Sequence, residues 1–328
     1  MSLTREQRTE KALFRGASLT LDNAEYRDAV RTFTEALLRA DLAPRDLTVA
    51  ALGTNGGRAE AVILARGGGV VAGLAELAFL LRAQGVVATL EKCDGDAIRP
   101  GDSLLRAEGE EMQLLALERV GLNLIQRMSG IATAIRCLQE RAKREYPTTR
   151  IVGTRKTPWG LLDKRALHLG NGGTHRLGLG DAMVVKNNHL ALLAAREEEA
   201  APIAIEKAWA FRKDSAFIEV EVRGEAAARA AAETFRRLQE NAAEEYPCLL
   251  MLDNMTPDQI GAILDMLRCE NLWDHVLVEA SGGISESNVE AYAARGVDAI
   301  SIGALTHSAR ALDICQRISY PLGKRTPS

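Results

Sequence analysis

The chain has 328 residues, 47% of them hydrophobic and 26% charged, with a formal net charge of -3 at pH 7. That length supports one large domain or two ordinary ones with a proper core. So small a net charge excludes a global field that would draw the chain to nucleic acid or an acidic membrane, so the basic residues that matter act locally. The opening MSLTREQRTEKALFRG is too charged for a signal peptide, and no apolar run approaches transmembrane length. Residues 1 to about 25 read as a charged lead-in with weak helical spacing. Tyr26 to Leu42 predicts an amphipathic helix with Val30, Phe33, Leu37 and Leu38 on one face. Asp41 to Thr48 reads as a polar turn leading into a strand, and Ala61 to Ala65 as a strand. Gly67-Gly68-Gly69 lacks the spacing and the lysine of a P-loop and reads as a tight turn. A helix follows over Leu74 to Leu81, then turn chemistry over Asp94 to Ser103. Leu114 to Ala142 is a long helical pattern, with Ser129-Gly130 as a break or a point of close approach. The five cysteines are scattered without metal spacing and read as core thiols of a reducing compartment, which places the chain in the cytoplasm.

After Tyr146 the rhythm changes. Short apolar runs at 150–154, 182–186, 217–222, 248–252, 275–279 and 299–302 alternate with helical stretches such as Glu225 to Glu240 and Pro257 to Leu267. Such alternation implies parallel strands with right-handed crossovers, and six repeats favour a barrel or near-barrel over an open sheet. No GxGxxG follows the first strand, which counts against a dinucleotide fold.

The strand ends carry the chemistry, because ligands of parallel sheets bind at the C-terminal ends of the strands. The run at 150–154 delivers Arg155 and Lys156, a glycine turn leads to His175 and Arg176, and the run at 182–186 delivers Lys186. Bare, these cations would repel one another, so their convergence implies a heavily anionic ligand. Glu219 and Glu221 alternate with Ile218, Val220 and Val222, so both face one side, and the next run ends in Asp253. Carboxylates at two consecutive strand ends opposite a cationic cluster suggest a hard divalent cation, with Mg2+ the fitting ion. Ser281-Gly282-Gly283 and Gly303-Ala304 end the last two runs and read as phosphate-cradling loops. The residues alone therefore describe a barrel mouth holding a phosphorylated ligand, a metal and a second anionic ligand, for transfer or lysis.

Those motifs resemble a known family. ERVGLNLIQRMSGIAT at 118–133, TRKT at 154–157, THRLGL at 174–179, VKNNH at 185–189, IEVEV at 218–222, MLDN at 251–254, EASGGI at 279–284 and SIGALTHS at 301–308 look like the quinolinate phosphoribosyltransferases, the decarboxylating enzymes of NAD synthesis. The resemblance spans roughly residues 41 to 318. It implies an N-terminal α/β sandwich over residues 1–129, an incomplete α/β barrel over 130–309, and a tail at 310–328 that packs on the sandwich. It further implies a homodimer with shared active sites and leaves open a hexamer of three dimers. It implies quinolinate and phosphoribosyl pyrophosphate as substrates, with no nucleic acid and no membrane partner. By resemblance, Arg119 reaches into the partner's site, while Arg155, His175, Arg176 and Lys186 hold the two quinolinate carboxylates. Lys156 lies near both substrates as a catalytic group. Glu221 and Asp253 meet the ribose and the Mg2+, partly through water. Ser281, Gly282, Gly283, Gly303 and His307 hold the 5′-phosphate.

Three stretches depart from the family pattern, the glycine turn among them with Asn171 as well as Thr174. Asn187 follows Lys186 where Asp is usual, Trp159 stands in the loop after Thr157, and Thr174 ends the glycine turn. Asn187 removes a negative charge near the expected metal. These departures motivate an alternative, a related pyrophosphorylase of the molybdenum-operon type acting on another anionic heterocycle.

Overall fold

The structure, a computed structural model, describes residues 3–42, 46–52, 57–242 and 245–319. It divides into two units: Ala17–Arg136 with Trp159–Asn171 and Ser308–Ser328, and Met1–Gly16 with Cys137–Pro158 and Gly172–His307.

The first unit is built on antiparallel pairing. Its strands are β1 (Arg58–Ala65), β2 (Gly69–Val70), β3 (Val87–Leu90), β4 (Ala97–Ile98) and β5 (Ser103–Glu110). Every second residue of β1 is buried, as a strand with one face on a core requires. β5 pairs antiparallel with both β1 and β3, and β2 pairs with β4. The helix Ala24–Asp41 starts at Asn23, whose side chain accepts from the amides of Glu25 and Tyr26. It buries Tyr26, Val30, Thr34 and Leu38, so its inner face is centred on these rather than on Phe33 and Leu37, which are half-buried. A strand was expected after Asp41–Thr48, but Leu47–Leu52 is a helix. Asp46 initiates it by accepting from the amides of Thr48 and Val49. Residues 43–45 of that expected turn lie outside the described residues.

The helix Glu111–Glu145 runs unbroken through Ser129-Gly130. Gly130 is instead a point of close approach, because a Cβ there would run into the carbonyl of Arg310. The Ser129 hydroxyl accepts from the amide of Ala72, which ties the helix to the segment beside it.

The second unit holds β6 (Arg150–Val152), β7 (Met183–Val185), β8 (Ile218–Val222), β9 (Cys248–Asp253), β10 (Leu277–Ser281) and β11 (Ala299–Ser301). They form one sheet in the order β6-β11-β10-β9-β8-β7, and every pairing is parallel. This is the circular order of an α/β barrel with the seam between β6 and β7 unpaired. Part of the seam is bridged by Gly173, whose amide donates to Ile151 and whose carbonyl accepts from Gly153.

The charged lead-in has a structural task. Arg5–Leu13 is a helix with a capping box formed by Thr4 and Gln7. Its Ala12 and Leu13 share a core cluster with Val152, Val184, Phe217, Leu249, Leu277 and Ala299. That cluster draws on all six parallel strands or the residue just before them, and burying Leu13 alone contributes about 2 kcal/mol. Arg5 donates two hydrogen bonds to Asp298, at 2.7 and 2.6 Å. The first sixteen residues therefore belong with the parallel sheet, outside the sandwich expected over 1–129. Conversely, residues 159–171, expected in the barrel, belong with the antiparallel unit. After the parallel sheet the chain returns to that unit as β12 (Ile314–Ser319), which pairs antiparallel with β1. Residues 320–328 of the expected tail lie outside the described residues.

Candidate functional site

At the C-terminal ends of the parallel strands lies a cavity of about 520 Å³, and all of its lining residues come from the second unit. Thr154, Arg155 and Lys156 reach it directly after β6. The turn is held by the Lys156 amide donating to the Thr154 hydroxyl at 3.1 Å. The Thr306 hydroxyl donates to the Lys156 carbonyl at 2.8 Å, which fixes the loop after β11 against it.

His175 and Arg176 enter after the Gly173 bridge, and both are buried. His175 adopts φ 54°, a left-handed conformation that costs a non-glycine residue on the order of 1 kcal/mol. The conformation lets the Arg176 amide donate to His175 Nδ1 at 2.8 Å. Nε2 then carries the ring proton and faces Glu219 at 3.0 Å and Glu279 at 3.4 Å. Phe217 packs edge-on against the ring at 5.4 Å between centroids. Burial disfavours a charged ring, but Glu219 and Glu279 more than offset it and raise His175 to about 9. A second ring proton would sit on Nδ1 and break the bond from Arg176. The geometry therefore favours a proton held on the carboxylate side, where burial and the charge of Glu279 push Glu219 up. Either way the triad keeps a proton that isolated groups would release.

Arg176 donates to the Ala182 carbonyl at 3.0 Å. Burial and the charge of Arg155 lower its pKa, though an arginine stays charged at neutral pH. Lys186 Nζ lies 3.1 Å from Glu221 Oε2. Glu221 on β8 and Asp253 at the end of β9 sit on neighbouring strands and both line the cavity.

On the far side, Ser281, Gly282 and Gly283 end β10, and Gly303 follows β11. Gly282 has φ 89°, and a Cβ there would lie 2.7 Å from the Asn254 amide nitrogen, so no other residue fits without a shift. His307, in the helix Ala304–His307, completes this wall.

Twelve of the thirteen candidate positions thus meet in one cavity. Arg119 is the exception. It lies on the helix Glu111–Glu145, its side chain 58% exposed, and does not line the cavity. Neither Trp159 nor Thr174 lines it. Trp159 stacks against Phe33 at 4.9 Å and lies under the Arg127 guanidinium. The Thr174 hydroxyl accepts from the Arg15 amide at 2.9 Å. Asn187 lines a second, smaller cavity instead.

Sequence reading gave no role to Thr154, Asn254 or Arg223. Thr154 and Asn254 line the cavity, and their places beside Arg155 and Asp253 were the available signal. Arg223 stands two residues beyond Glu221 and just past the end of β8, so strand alternation directs it to the same side as Glu219 and Glu221, and that spacing was the available signal.

Comparison with known proteins gives a consistent result. The family model described as quinolinate phosphoribosyl transferase, C-terminal domain, matches residues 131–316, and that of the N-terminal domain matches residues 46–129. A probable nicotinate-nucleotide pyrophosphorylase (carboxylating) of Methanothermobacter thermautotrophicus is 38% identical over 284 residues, covering 86% of this chain and 96% of the relative. A quinolinate phosphoribosyltransferase (decarboxylating) of Nicotiana tabacum is 34% identical over 281 residues, covering 81% of this chain and 77% of the relative. The solved nicotinate-nucleotide pyrophosphorylase of Francisella tularensis superposes with a TM-score of 0.74 at 26% identity, covering 89% of this chain and 96% of that one.

Proposed function

The chain belongs to the quinolinate phosphoribosyltransferase family, and from that premise we propose that its cavity transfers phosphoribosyl from phosphoribosyl pyrophosphate to quinolinate with decarboxylation. The products are nicotinate mononucleotide, pyrophosphate and CO2, a step of NAD biosynthesis. The observation that carries this reading is the division of the cavity wall. Arg155, Lys156, His175, Arg176 and Lys186 stand together beside the carboxylates Glu221 and Asp253.

The arginines offer planar forks that match carboxylates, so Arg155 and Arg176, with Lys186, orient the two carboxylates of quinolinate, and His175, whose ring nitrogens meet the Arg176 amide and Glu219, holds Arg176 in position. Lys156 lies near both substrates. The amides and hydroxyl of Ser281, Gly282 and Gly283, with Gly303 and His307, hold the 5′-phosphate. Glu221 and Asp253 face the ribose, and their hard oxygens on adjacent strands fit Mg2+, which accepts one or two carboxylates beside water and phosphate oxygens. When bound there, Mg2+ neutralises charge on the departing diphosphate.

The bond from C1 of the ribose to the diphosphate oxygen breaks, and its electron pair leaves with the oxygen. The pyridine nitrogen then bonds to C1 with its lone pair. The resulting pyridinium draws the electrons of the bond to the adjacent carboxylate, CO2 leaves, and the ring carbon takes a proton. No general base is needed, so the chain's main contribution is position and charge.

The exposure of Arg119 outside this chain's cavity supports a homodimer in which each subunit lends that arginine to the other's site. The soluble anionic substrates suit the cytoplasm. Among the described residues, no helix is long and apolar enough to cross a membrane.

Incubation with quinolinate, phosphoribosyl pyrophosphate and Mg2+ is expected to release CO2 and pyrophosphate in equal amounts. Release of neither, with turnover of another ring carboxylate, would replace quinolinate as the substrate. Glu221→Ala and Asp253→Ala should each slow turnover about a hundredfold to a thousandfold in a folded protein.

A further inference from the structure

The carboxylate pair has a neighbour that the reaction as described does not use. The Arg223 guanidinium lies with Nε 3.6 Å from Asp253 Oδ2 and Nη2 3.9 Å from Glu221 Oε1. Both separations are too long for hydrogen bonds but short enough for strong charge attraction. Among the described residues, this guanidinium donates no hydrogen bond, and the side chain is 48% exposed. Its backbone, in contrast, is anchored, because the Arg223 amide donates to Glu197 Oε2 at 3.0 Å. The helix Glu225–Glu240 starts two residues later. The result is a fixed stem with a charge-held head. Arg223 also lines a second cavity of about 230 Å³, together with Asn187, Asn188 and Glu197, so open space lies beside the residue.

The charge count gives the arrangement its meaning. Lys186 and Arg223 bring two positive charges to the two negative charges of Glu221 and Asp253. The cluster is formally neutral with no metal. A divalent cation on the same carboxylates would stand a few ångströms from the guanidinium and repel it. A diphosphate carried by that cation would attract it, and arginine matches phosphate oxygens with a planar fork.

We propose that Arg223 is a tethered counter-cation of the Glu221–Asp253 pair that yields its place to the divalent cation and then grips the diphosphate of the incoming sugar. This rests on the metal assignment of the proposed function. An ordinary surface ion pair would be the bland alternative, but such a pair has no reason to oppose a metal or to favour a diphosphate.

The test uses Mn2+ alone, followed by paramagnetic resonance, and then inorganic pyrophosphate added to the Mn2+-loaded protein. R223Q is expected to bind Mn2+ about fivefold more tightly than the parent protein, since a competing charge is gone. It is expected to bind pyrophosphate about tenfold more weakly, and R223K should restore most of both values. D253A serves as the control for the metal site. If D253A binds Mn2+ as the parent does, the metal assignment is wrong whatever R223Q does. If D253A loses Mn2+, the Arg223 proposal falls should R223Q leave either affinity unchanged or weaken both together.

Discussion

In the antiparallel unit, Asp163 is fully buried, and Arg127 answers it with two hydrogen bonds at 2.8 and 2.9 Å. Trp159 closes over the same pair, with its ring 4.9 Å from the guanidinium and its amide donating to Asp163. In the parallel-sheet unit, Arg155 and Lys156 stand exposed at the cavity, Arg176 is crowded by Arg155, and buried Glu279 makes no hydrogen bond among the described residues, its nearest cation being His175 at 3.4 Å. The first arrangement completes its charges within the chain, so its charges serve stability. The second leaves Arg155 and Lys156 exposed without such a buried partner, which is the arrangement the proposed anionic substrates would complete.

That contrast breaks most visibly at Asp163. Removing one member of a buried ion pair strands the other, at a cost of about 3–5 kcal/mol. Asp163→Ala should therefore lose that much in denaturant unfolding, while the fraction that remains folded keeps its affinity for quinolinate. A loss under about 1 kcal/mol would mean that the pair is better solvated than its burial indicates.

Arg155→Ala is the opposite experiment. The side chain is exposed and crowds Arg176, so its removal relieves repulsion. The melting temperature should stay level or rise, while the KM for quinolinate rises about tenfold through loss of a charge-assisted contact. A fall in stability with an unchanged KM would reverse the roles assigned to the two units.

The triad of His175, Glu219 and Glu279 sharpens the comparison through pH. The folded chain holds a proton there that the unfolded chain releases, whether it is drawn to His175 or kept on Glu219. With the proton on His175, stability is fully present below the unfolded value of 6.5 and falls as pH rises toward about 9; with the proton on Glu219, the fall begins lower, above the unfolded carboxyl value of 4.5. One proton limits the slope to about 1.4 kcal/mol per pH unit. Unfolding measured across that window should show the decline, and Glu279→Gln should flatten it. An equal slope in the variant would place the titrating group elsewhere.

The parallel strands and the cationic cluster were legible in the sequence because each strand is a short apolar run that stops at a polar or charged stretch, and Arg155, Lys186 and Asp253 mark the charged stops. What stayed hidden depends on long-range packing. No local pattern shows that Leu13 enters the same core as Leu277, 264 residues later, or that Asp298 receives Arg5. The Glu219 partner is hidden for the same reason, since His175 lies 44 residues earlier. The helix at Leu47–Leu52 was missed because its β-branched and apolar residues read as strand, whereas the Asp46 cap decides the local outcome.

The smallest effect is expected at Asn187, although sequence reading made it a candidate for changing the substrate. Its side chain accepts from the Asn188 amide at 2.7 Å, and the residue lines the smaller cavity together with Arg223, while the cations proposed to hold quinolinate line the larger one. Asn187→Asp adds a half-exposed charge, and such charges are worth about 1 kcal/mol or less. Its kcat/KM for quinolinate should change by less than about threefold, with no gain for rings that carry one carboxylate. Any change should fall on the phosphoribosyl pyrophosphate side, because the new charge would compete for Arg223. A tenfold shift in ring preference would instead show that the wall of the smaller cavity selects the substrate, and the separation of the two cavities would lose its functional meaning.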